Sequence, residues 1–136
     1  QTCALPICVV GLTLDENGIP STAEGRFKIA EKIVNKALEY GIKKENIFID
    51  CLSLTVSAQQ EEALETLKCI KMVKEKLGVK TILGVSNISF GVPNRSALNN
   101  AYLNLALYEG LDLPIINPKT KRIIAIKLST LNVYPG

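Results

Sequence analysis

Three glycines follow helix-like amphipathic segments and precede apolar runs, and their spacing limits the fold of this sequence more than any other feature. Gly41, Gly78 and Gly110 are 37 and 32 residues apart, about the length of one strand and one helix in a parallel α/β protein. Glycine just past a helix readily adopts the left-handed backbone conformation that ends it. The spacing therefore predicts a repeating array of strand–helix units.

Four apolar runs predict the strands, at residues 8–14, 47–52, 81–85 and 113–116. They are mostly continuous, as strands buried on both faces of a parallel sheet require. The first helix is expected to begin at a capping box of Ser21 and Glu24, the second covers about 59–77, the third about 95–109, and a fourth follows Pro118. The side chains expected to face the core are Phe27, Ala30, Val34, Ala37 and Leu38, then Leu64, Leu67, Ile70 and Val73, then Leu98, Tyr102, Leu105 and Ala106, and finally Ile123, Ile124, Ile126 and Leu131.

Two fold classes use such units, the doubly wound sheet and the (β/α)8 or TIM barrel. No Gly-x-Gly-x-x-Gly follows the first strand, which disfavours a dinucleotide fold, so half a barrel fits better. In either fold the chemistry lies at the carboxyl ends of the strands. The polar residues that close the four apolar runs are Asp15, Asp50, Asn87 and Asn117.

Composition excludes several function classes. The chain is 47% apolar with a net charge of +3 and no basic stripe interleaved with aromatics, so nucleic acid is not an expected partner. No apolar run is long enough to span a bilayer, and a cytoplasmic location is expected.

Metal and thiol chemistry are also disfavoured. The sequence has four cysteines, no Cys-x-x-Cys pair and no histidine, so we expect neither a zinc site nor a Cys–His catalytic pair. Cys51 and Cys69 are expected to be small apolar core or surface residues, without a structural disulfide.

Residues 1–7 are predicted to be a non-native segment, because Gln-Thr-Cys-Ala-Leu-Pro-Ile resembles the translation of a sequencing adapter. The natural protein would then begin near Cys8. An ordinary entry into the first strand is the alternative, and no functional argument rests on this segment.

Asp50 is the strongest single indication of a ligand site. An acid that directly follows a buried strand is costly to bury without a partner, and a carboxylate can accept two parallel N–H bonds from the 2-amino-pyrimidinone edge of a pterin or guanine. A Lys or Arg partner, or backbone N–H groups, could satisfy it equally well. Asn87 follows the next strand after Gly84, and its amide can donate and accept at once; an Asx-turn is the alternative.

Three segments taken together are more specific than Asp50 or Asn87 alone. They are DCLSLTVS at 50–57, GVSNISFGVPNR at 84–95 and GLDLPIINP at 110–118. In this order they resemble the pterin-binding methyltransferases. That family comprises the methyltetrahydrofolate-binding domain of cobalamin-dependent methionine synthase and the free-standing methyltetrahydrofolate:corrinoid methyltransferase, with dihydropteroate synthase more distant. The resemblance runs from about Cys8 to Tyr134, and DENGIP at 15–20 matches the loop after the family's fifth strand.

The resemblance implies a reaction and a set of site residues. The N5-methyl group of 5-methyltetrahydrofolate would move to cob(I)alamin, held by another domain or by a corrinoid protein, in methionine biosynthesis. Asp50 would bind the pterin ring and Asn87 would contact N5, the nitrogen that loses the methyl group. Gly84 and Ser86 would shape the pocket floor, and Arg95 would lie near the benzoyl portion unless it is only a solvent-facing arginine at a helix start.

Departures from the family qualify this expectation. The first four strands, which carry another pterin-binding Asp and an Asn in the family, have no counterpart in the sequence. Residues 8–136 are therefore predicted to be a partial pterin-binding domain, the C-terminal half of a TIM barrel with strands five to eight. Methionine synthase is slightly favoured over the free-standing enzyme. Dihydropteroate synthase is disfavoured because its Arg-x-His segment is missing from this sequence. An inactive half-barrel is the alternative from another functional class. The sequence does not predict an oligomeric state.

Overall fold

The computed structural model describes residues 7–117, which form four strands and three α-helices in strict alternation. The predicted adapter segment and the predicted fourth helix lie, apart from Ile7, outside these residues. The elements are β1 Val9–Leu12, α1 Ala23–Glu39, β2 Ile47–Asp50, α2 Gln60–Met72, β3 Lys80–Gly84, α3 Arg95–Glu109 and β4 Leu113–Ile115. Shorter turns are a 3₁₀ turn at Lys44–Asn46, a π turn at Val73–Leu77 that extends α2, and a 3₁₀ turn at Val85–Ser89.

The strands form one parallel sheet in the order β1-β2-β3-β4. This confirms the predicted strand set, their adjacency and their common direction. It is the arrangement that right-handed strand–helix–strand crossovers produce when each unit is laid beside the last. The result is a parallel α/β sheet consistent with part of a TIM barrel.

All three predicted end-of-helix glycines have left-handed backbones, with φ of 82° at Gly41, 65° at Gly78 and 114° at Gly110. At Gly78 this geometry lets the glycine N–H bond the Val73 carbonyl at 3.1 Å and turns the chain directly into β3. The regular spacing of these glycines in the sequence thus has a structural cause: each one ends a helix before the next strand.

The helices pack on one face of the sheet in a single core. Ile47 and Ile49 of β2 point into this core, together with Leu83 of β3. From the helices the core receives Ala23, Ala30, Val34, Ala37, Leu67, Cys69, Ile70, Val73, Tyr102, Leu103 and Ala106. Cys51 and Cys69 are both buried free thiols, as predicted for small core residues.

Three leucines predicted to face the core are exposed instead. Leu38 is 39% exposed, Leu64 59% and Leu105 52%. At 100° per residue, Leu64 and Leu105 lie well away from the buried stripes of α2 and α3, and Leu38 lies at the margin of the α1 stripe. Smaller or polar side chains at the correct angle, such as Thr66 and Cys69, take the inward positions on α2.

The start of α1 also differs from the prediction. Thr22, not Ser21, is the N-cap, and its side chain accepts a hydrogen bond from the Gly25 N–H at 3.1 Å. The Ala23 N–H donates a hydrogen bond to the Glu65 carboxylate of α2 at 2.7 Å. The acceptor for this first-turn donor therefore comes from another helix, which a local Ser-x-x-Glu pattern does not show.

Candidate functional site

The predicted site residues lie at one edge of the sheet, because the four parallel strands all end there. Asp50 is the last residue of β2 and Gly84 the last of β3. Ser86 and Asn87 lie in the 3₁₀ turn after β3, and Arg95 begins α3. Asp15 lies in the turn after β1, closed by two hydrogen bonds of 3.0 Å with Gly18, and Asn117 follows β4.

Asp50 has a half-buried carboxylate without a cationic partner in the described part of the chain. Its Oδ1 accepts one hydrogen bond, from the Leu52 N–H at 2.9 Å. Burial raises the pKa of Asp50 above its ordinary range, and the Leu52 N–H lowers it by a smaller amount. Of the two alternatives to a ligand, an ion pair is not observed in residues 7–117, and backbone satisfaction accounts for only one bond.

Asn87 is exposed at the same edge. A Cβ on Gly84 would lie 3.6 Å from Asn87 Nδ2, so the amide extends back over the end of β3. No hydrogen bond is formed by the Asn87 side chain within residues 7–117, so the Asx-turn alternative is not what holds this residue. The turn is closed through the backbone, since the Phe90 N–H bonds the Asn87 carbonyl at 3.3 Å.

Arg95 donates into the turn that carries Asn87. Its Nε bonds Ser89 Oγ at 3.0 Å and its Nη2 bonds the Ser86 carbonyl at 3.1 Å, while the guanidinium carbon lies 5.7 Å from the centre of the Phe90 ring. Arg95 is exposed but has specific partners, so it is more than a solvated arginine at a helix start.

The loops after β2 and β3 are joined to each other. The Val56 N–H bonds the Ile88 carbonyl at 3.0 Å, and Ser57 Oγ bonds the Phe90 carbonyl at 3.1 Å. The segment after Asp50 and the turn around Asn87 therefore form one connected edge, which fixes the separation between the two candidate ligand-binding side chains.

A cavity of about 310 Å³ lies beside this edge, between the turn after β3, the start of α3 and the end of β4. Its lining includes Ser86, Arg95, Asn99 and Asn117. Asn99 Oδ1 is buried and has no hydrogen-bond partner within the described residues.

Arg26 is a site-proximal residue that the sequence analysis missed. It lies on α1, is fully buried, and pairs with Glu62 at 2.8 Å. Its other donors reach the carbonyls of Cys51 and Leu52, directly behind Asp50. The signal was available, because Arg26 lies at helical spacing from the apolar residues Ala23 and Ala30 and therefore on the inward stripe.

Residues 7–117 contain neither a metal-binding cluster nor a membrane-spanning helix. No group of three or more His, Cys, Asp or Glu side chains is arranged to hold a metal ion there. None of the helices in that range has the length and apolar character needed to cross a bilayer.

Comparison with known proteins identifies the family. The pterin binding enzyme family matches residues 12–117, a span that includes β2, β3 and every candidate site residue. The chain belongs to the pterin-binding methyltransferase family. The predicted family is thereby confirmed.

Three relatives show which members of the family this chain is similar to. It is 39% identical over 117 residues to methionine synthase of Mycobacterium leprae, covering 80% of this chain and 10% of the relative. It is 35% identical over 138 residues to methionine synthase of Mycobacterium tuberculosis, covering 88% and 12%. It is 26% identical over 123 residues to the methylcorrinoid:tetrahydrofolate methyltransferase of Eubacterium limosum, covering 90% and 45%. The chain thus spans only part of each of these relatives.

Proposed function

We propose that the complete protein containing this chain transfers the N5-methyl group of 5-methyltetrahydrofolate to cob(I)alamin, as the folate-binding part of a methionine synthase. Two of the relatives carry the name methionine synthase, which supports this choice within the family. The observation that carries the proposal is the half-buried Asp50 carboxylate, without a cation in residues 7–117, at the same sheet edge as the free amide of Asn87.

Asp50 would bind the pterin. A pterin presents an amino N–H and a ring N–H side by side, and a carboxylate can accept both in parallel. The Leu52 N–H engages Oδ1 on one side only, and each carboxylate oxygen has two lone pairs. Acceptor capacity is therefore left for a ligand that approaches from the edge of the sheet.

Asn87 would act on the leaving nitrogen. N5 of methyltetrahydrofolate is a tertiary amine, which leaves poorly unless it is protonated or hydrogen-bonded as the C–N bond breaks. The amide oxygen of Asn87 can accept a hydrogen bond from protonated N5, and this interaction strengthens as N5 gains its proton. An exposed amide with no partner in the described residues is free to make that contact.

Gly84, Ser86 and Arg95 would complete the pocket on this side. Gly84 leaves the space next to the Asn87 amide open, and Ser86 directs its carbonyl to Arg95. With Nε and Nη2 engaged by the turn, Arg95 would contact the benzoyl portion of the folate through the outer part of its guanidinium plane.

We further propose that the chain supplies the C-terminal half of a TIM barrel, strands five to eight. By strand register and alternation, the face opposite the helices carries a row formed by Leu12, Asp50, Ile82 and Leu113. Leu12 is 45% exposed and Leu113 is 43% exposed. Side chains of such a row would face the interior of a closed barrel, which the remaining four strands would cover.

Cobalamin would be bound outside this chain, by another domain or a corrinoid protein. When bound, its reduced cobalt supplies the nucleophile that accepts the methyl group. The residues of this chain would bind and orient the folate and hold the proton at N5. A cytoplasmic location stays a prediction.

Three alternatives remain distinct. A free-standing corrinoid methyltransferase is supported by the third relative, whose name describes methyl transfer between the same two partners, written from the methylcorrinoid to tetrahydrofolate. Gene context separates it from methionine synthase, because only the latter would have a homocysteine-binding barrel and a cobalamin domain in the same gene. A dihydropteroate synthase would condense a pterin pyrophosphate with an aminobenzoate, and an inactive half-barrel would do neither.

The test uses the complete protein under anaerobic conditions. It is mixed with 5-methyltetrahydrofolate and cob(I)alamin, and the loss of the cob(I)alamin absorbance is followed in a single turnover. Tetrahydrofolate, which lacks the methyl group, is the matched control and should give no change. Folate binding without methyl transfer, or turnover of pterin pyrophosphate with aminobenzoate, would contradict the proposal.

A further inference from the structure

Arg26 directs most of its donors to backbone carbonyls of two loops at the functional edge. Its Nε bonds the Pro20 carbonyl at 2.7 Å, in the loop after β1. Its Nη1 lies 3.1 Å from the carbonyls of Cys51 and of Leu52, in the loop after β2. A buried cation requires compensation, and here three backbone carbonyls supply part of it, with Glu62 as the paired carboxylate.

Thr66 of α2 completes this arrangement. Its Oγ1 accepts from Arg26 Nη1 at 2.6 Å. The single hydroxyl proton of Thr66 is within reach of the Leu52 carbonyl at 2.9 Å and of the Glu62 carbonyl in its own helix at 3.1 Å. Both side chains are fully buried, so water cannot substitute for these bonds. The Leu52 carbonyl therefore lies within hydrogen-bond distance of donors from two different helices.

Leu52 needs such support because its backbone is strained. Its φ is +59°, a left-handed value that is unusual for a residue other than glycine. The same residue donates its backbone N–H to Asp50 Oδ1 at 2.9 Å. A chain of contacts thus runs from Arg26 and Thr66, through the backbone of Cys51 and Leu52, to the Asp50 carboxylate.

We propose that Arg26, together with Thr66, is a positioning residue that fixes the Asp50 carboxylate in the orientation required for its ligand. The inference rests on the proposed function, because it takes the pterin as that ligand. Arg26 does not touch the ligand in this scheme. It acts from the opposite side of the loop and leaves the outward acceptors of Asp50 open.

The test measures the affinity of the complete protein for 5-methyltetrahydrofolate in two backgrounds, one with Asp50 and one carrying Asp50→Ala. Thr66→Val keeps the shape of the side chain and removes its hydroxyl; Arg26→Lys keeps the charge and loses the planar fork. Each should weaken binding about 3- to 10-fold. If the effect passes through Asp50, it should disappear when the same change is made in an Asp50→Ala background.

Thr81→Val is the matched control. Thr81 is equally buried, and its hydroxyl bonds the Gly110 carbonyl at 3.1 Å near the start of β3, at the opposite end of the sheet. It should lower stability without changing folate affinity. If Arg26→Lys fails to fold, the Thr66→Val cycle decides alone. An unchanged affinity in Thr66→Val, or a loss of the same size with and without Asp50, would overturn the inference.

A readout without folate separates this inference from the proposed function. With ¹³C-labelled aspartate, the carboxyl carbon of Asp50 can be titrated by NMR. Thr66→Val should weaken the Leu52 N–H bond and shift the Asp50 midpoint upward, whereas Thr81→Val should not. If the protein does not bind folate but shows this shift, the proposed function is refuted and the positioning role is supported. If it binds folate without the shift, the proposed function is supported and the positioning role is refuted.

Discussion

Substitutions at Asp50 and Asn87 should separate binding from catalysis in the complete protein. Asp50→Ala would leave two pterin N–H donors unpaired in the bound state. That loss is on the order of 1 to 3 kcal/mol, or roughly 5- to 150-fold in Kd. It should appear chiefly as weaker methyltetrahydrofolate binding, with a smaller effect on the rate at saturating folate.

Asp50→Asn refines the measurement. In the structure Asp50 Oδ1 also accepts the Leu52 N–H, so alanine removes a loop contact as well as the ligand contact. Asparagine can keep an oxygen towards Leu52 while presenting an NH₂ group to the pterin donors. Folate binding should therefore fall at least as far as in Asp50→Ala, although the loop is retained. Normal folate affinity in Asp50→Asn would refute the assignment of Asp50 to the pterin edge.

Asn87→Ala should give the opposite pattern. Its side chain is exposed and has no hydrogen bond within residues 7–117, so its removal should change stability by less than about 0.5 kcal/mol. A contact that strengthens as N5 gains a proton is lost, so the rate of methyl transfer should fall by more than the affinity does. Single-turnover transfer to cob(I)alamin and folate binding are measured separately. An unchanged rate at saturating folate would refute the N5 role.

Three further outcomes test the structure itself. Burial raises the pKa of Asp50, so the folded state binds this proton more tightly than the unfolded state does. Protonated Asp50 therefore favours folding at low pH, and this contribution is lost as pH rises through the raised pKa. Asp50→Asn should accordingly raise Tm at neutral pH in thermal melts without ligand. Burial also raises the pKa of Tyr102 to about 12, so the free energy of unfolding should fall from about pH 10 upward, and it should fall less in Tyr102→Phe. In urea unfolding, Tyr102→Phe should cost about 1 kcal/mol because it loses the 3.1 Å hydrogen bond to the Ala63 carbonyl. The 136-residue chain expressed alone should be insoluble or form dimers, because Val10 and Ile115 are each 54% exposed on the uncovered sheet face; a monodisperse monomer with a cooperative melt in ultracentrifugation and calorimetry would contradict this.

The strand order and the functional edge could be predicted because their signals are local. An apolar run marks each strand, a glycine such as Gly78 marks each helix end, and right-handed crossovers leave one common arrangement. Once the strands are parallel and adjacent, Asp50 and Asn87 must lie at the same edge. The family resemblance then supplied the ligand, which neither spacing nor composition could identify.

The support behind the site could not be predicted because it depends on contacts distant in sequence. Arg26 reaches Leu52 across 26 residues and Thr66 across 40. The left-handed backbone of Leu52 is likewise a tertiary effect, since leucine has no intrinsic preference for it. The cap of α1 was misplaced by one residue for the same reason, because Glu65 of another helix satisfies the first donor.

The position of Arg26 explains how Asp50 can be both partly buried and available. A guanidinium paired directly with Asp50 would satisfy the carboxylate, but a ligand would then have to displace an ion pair. Arg26 instead donates to the Cys51 and Leu52 carbonyls, which stabilises the loop and leaves the acid with one backbone hydrogen bond. Because burial raises the pKa of Asp50, a ligand that supplies N–H donors to the carboxylate should lower this pKa on binding and recover the stability that burial of the carboxylate costs.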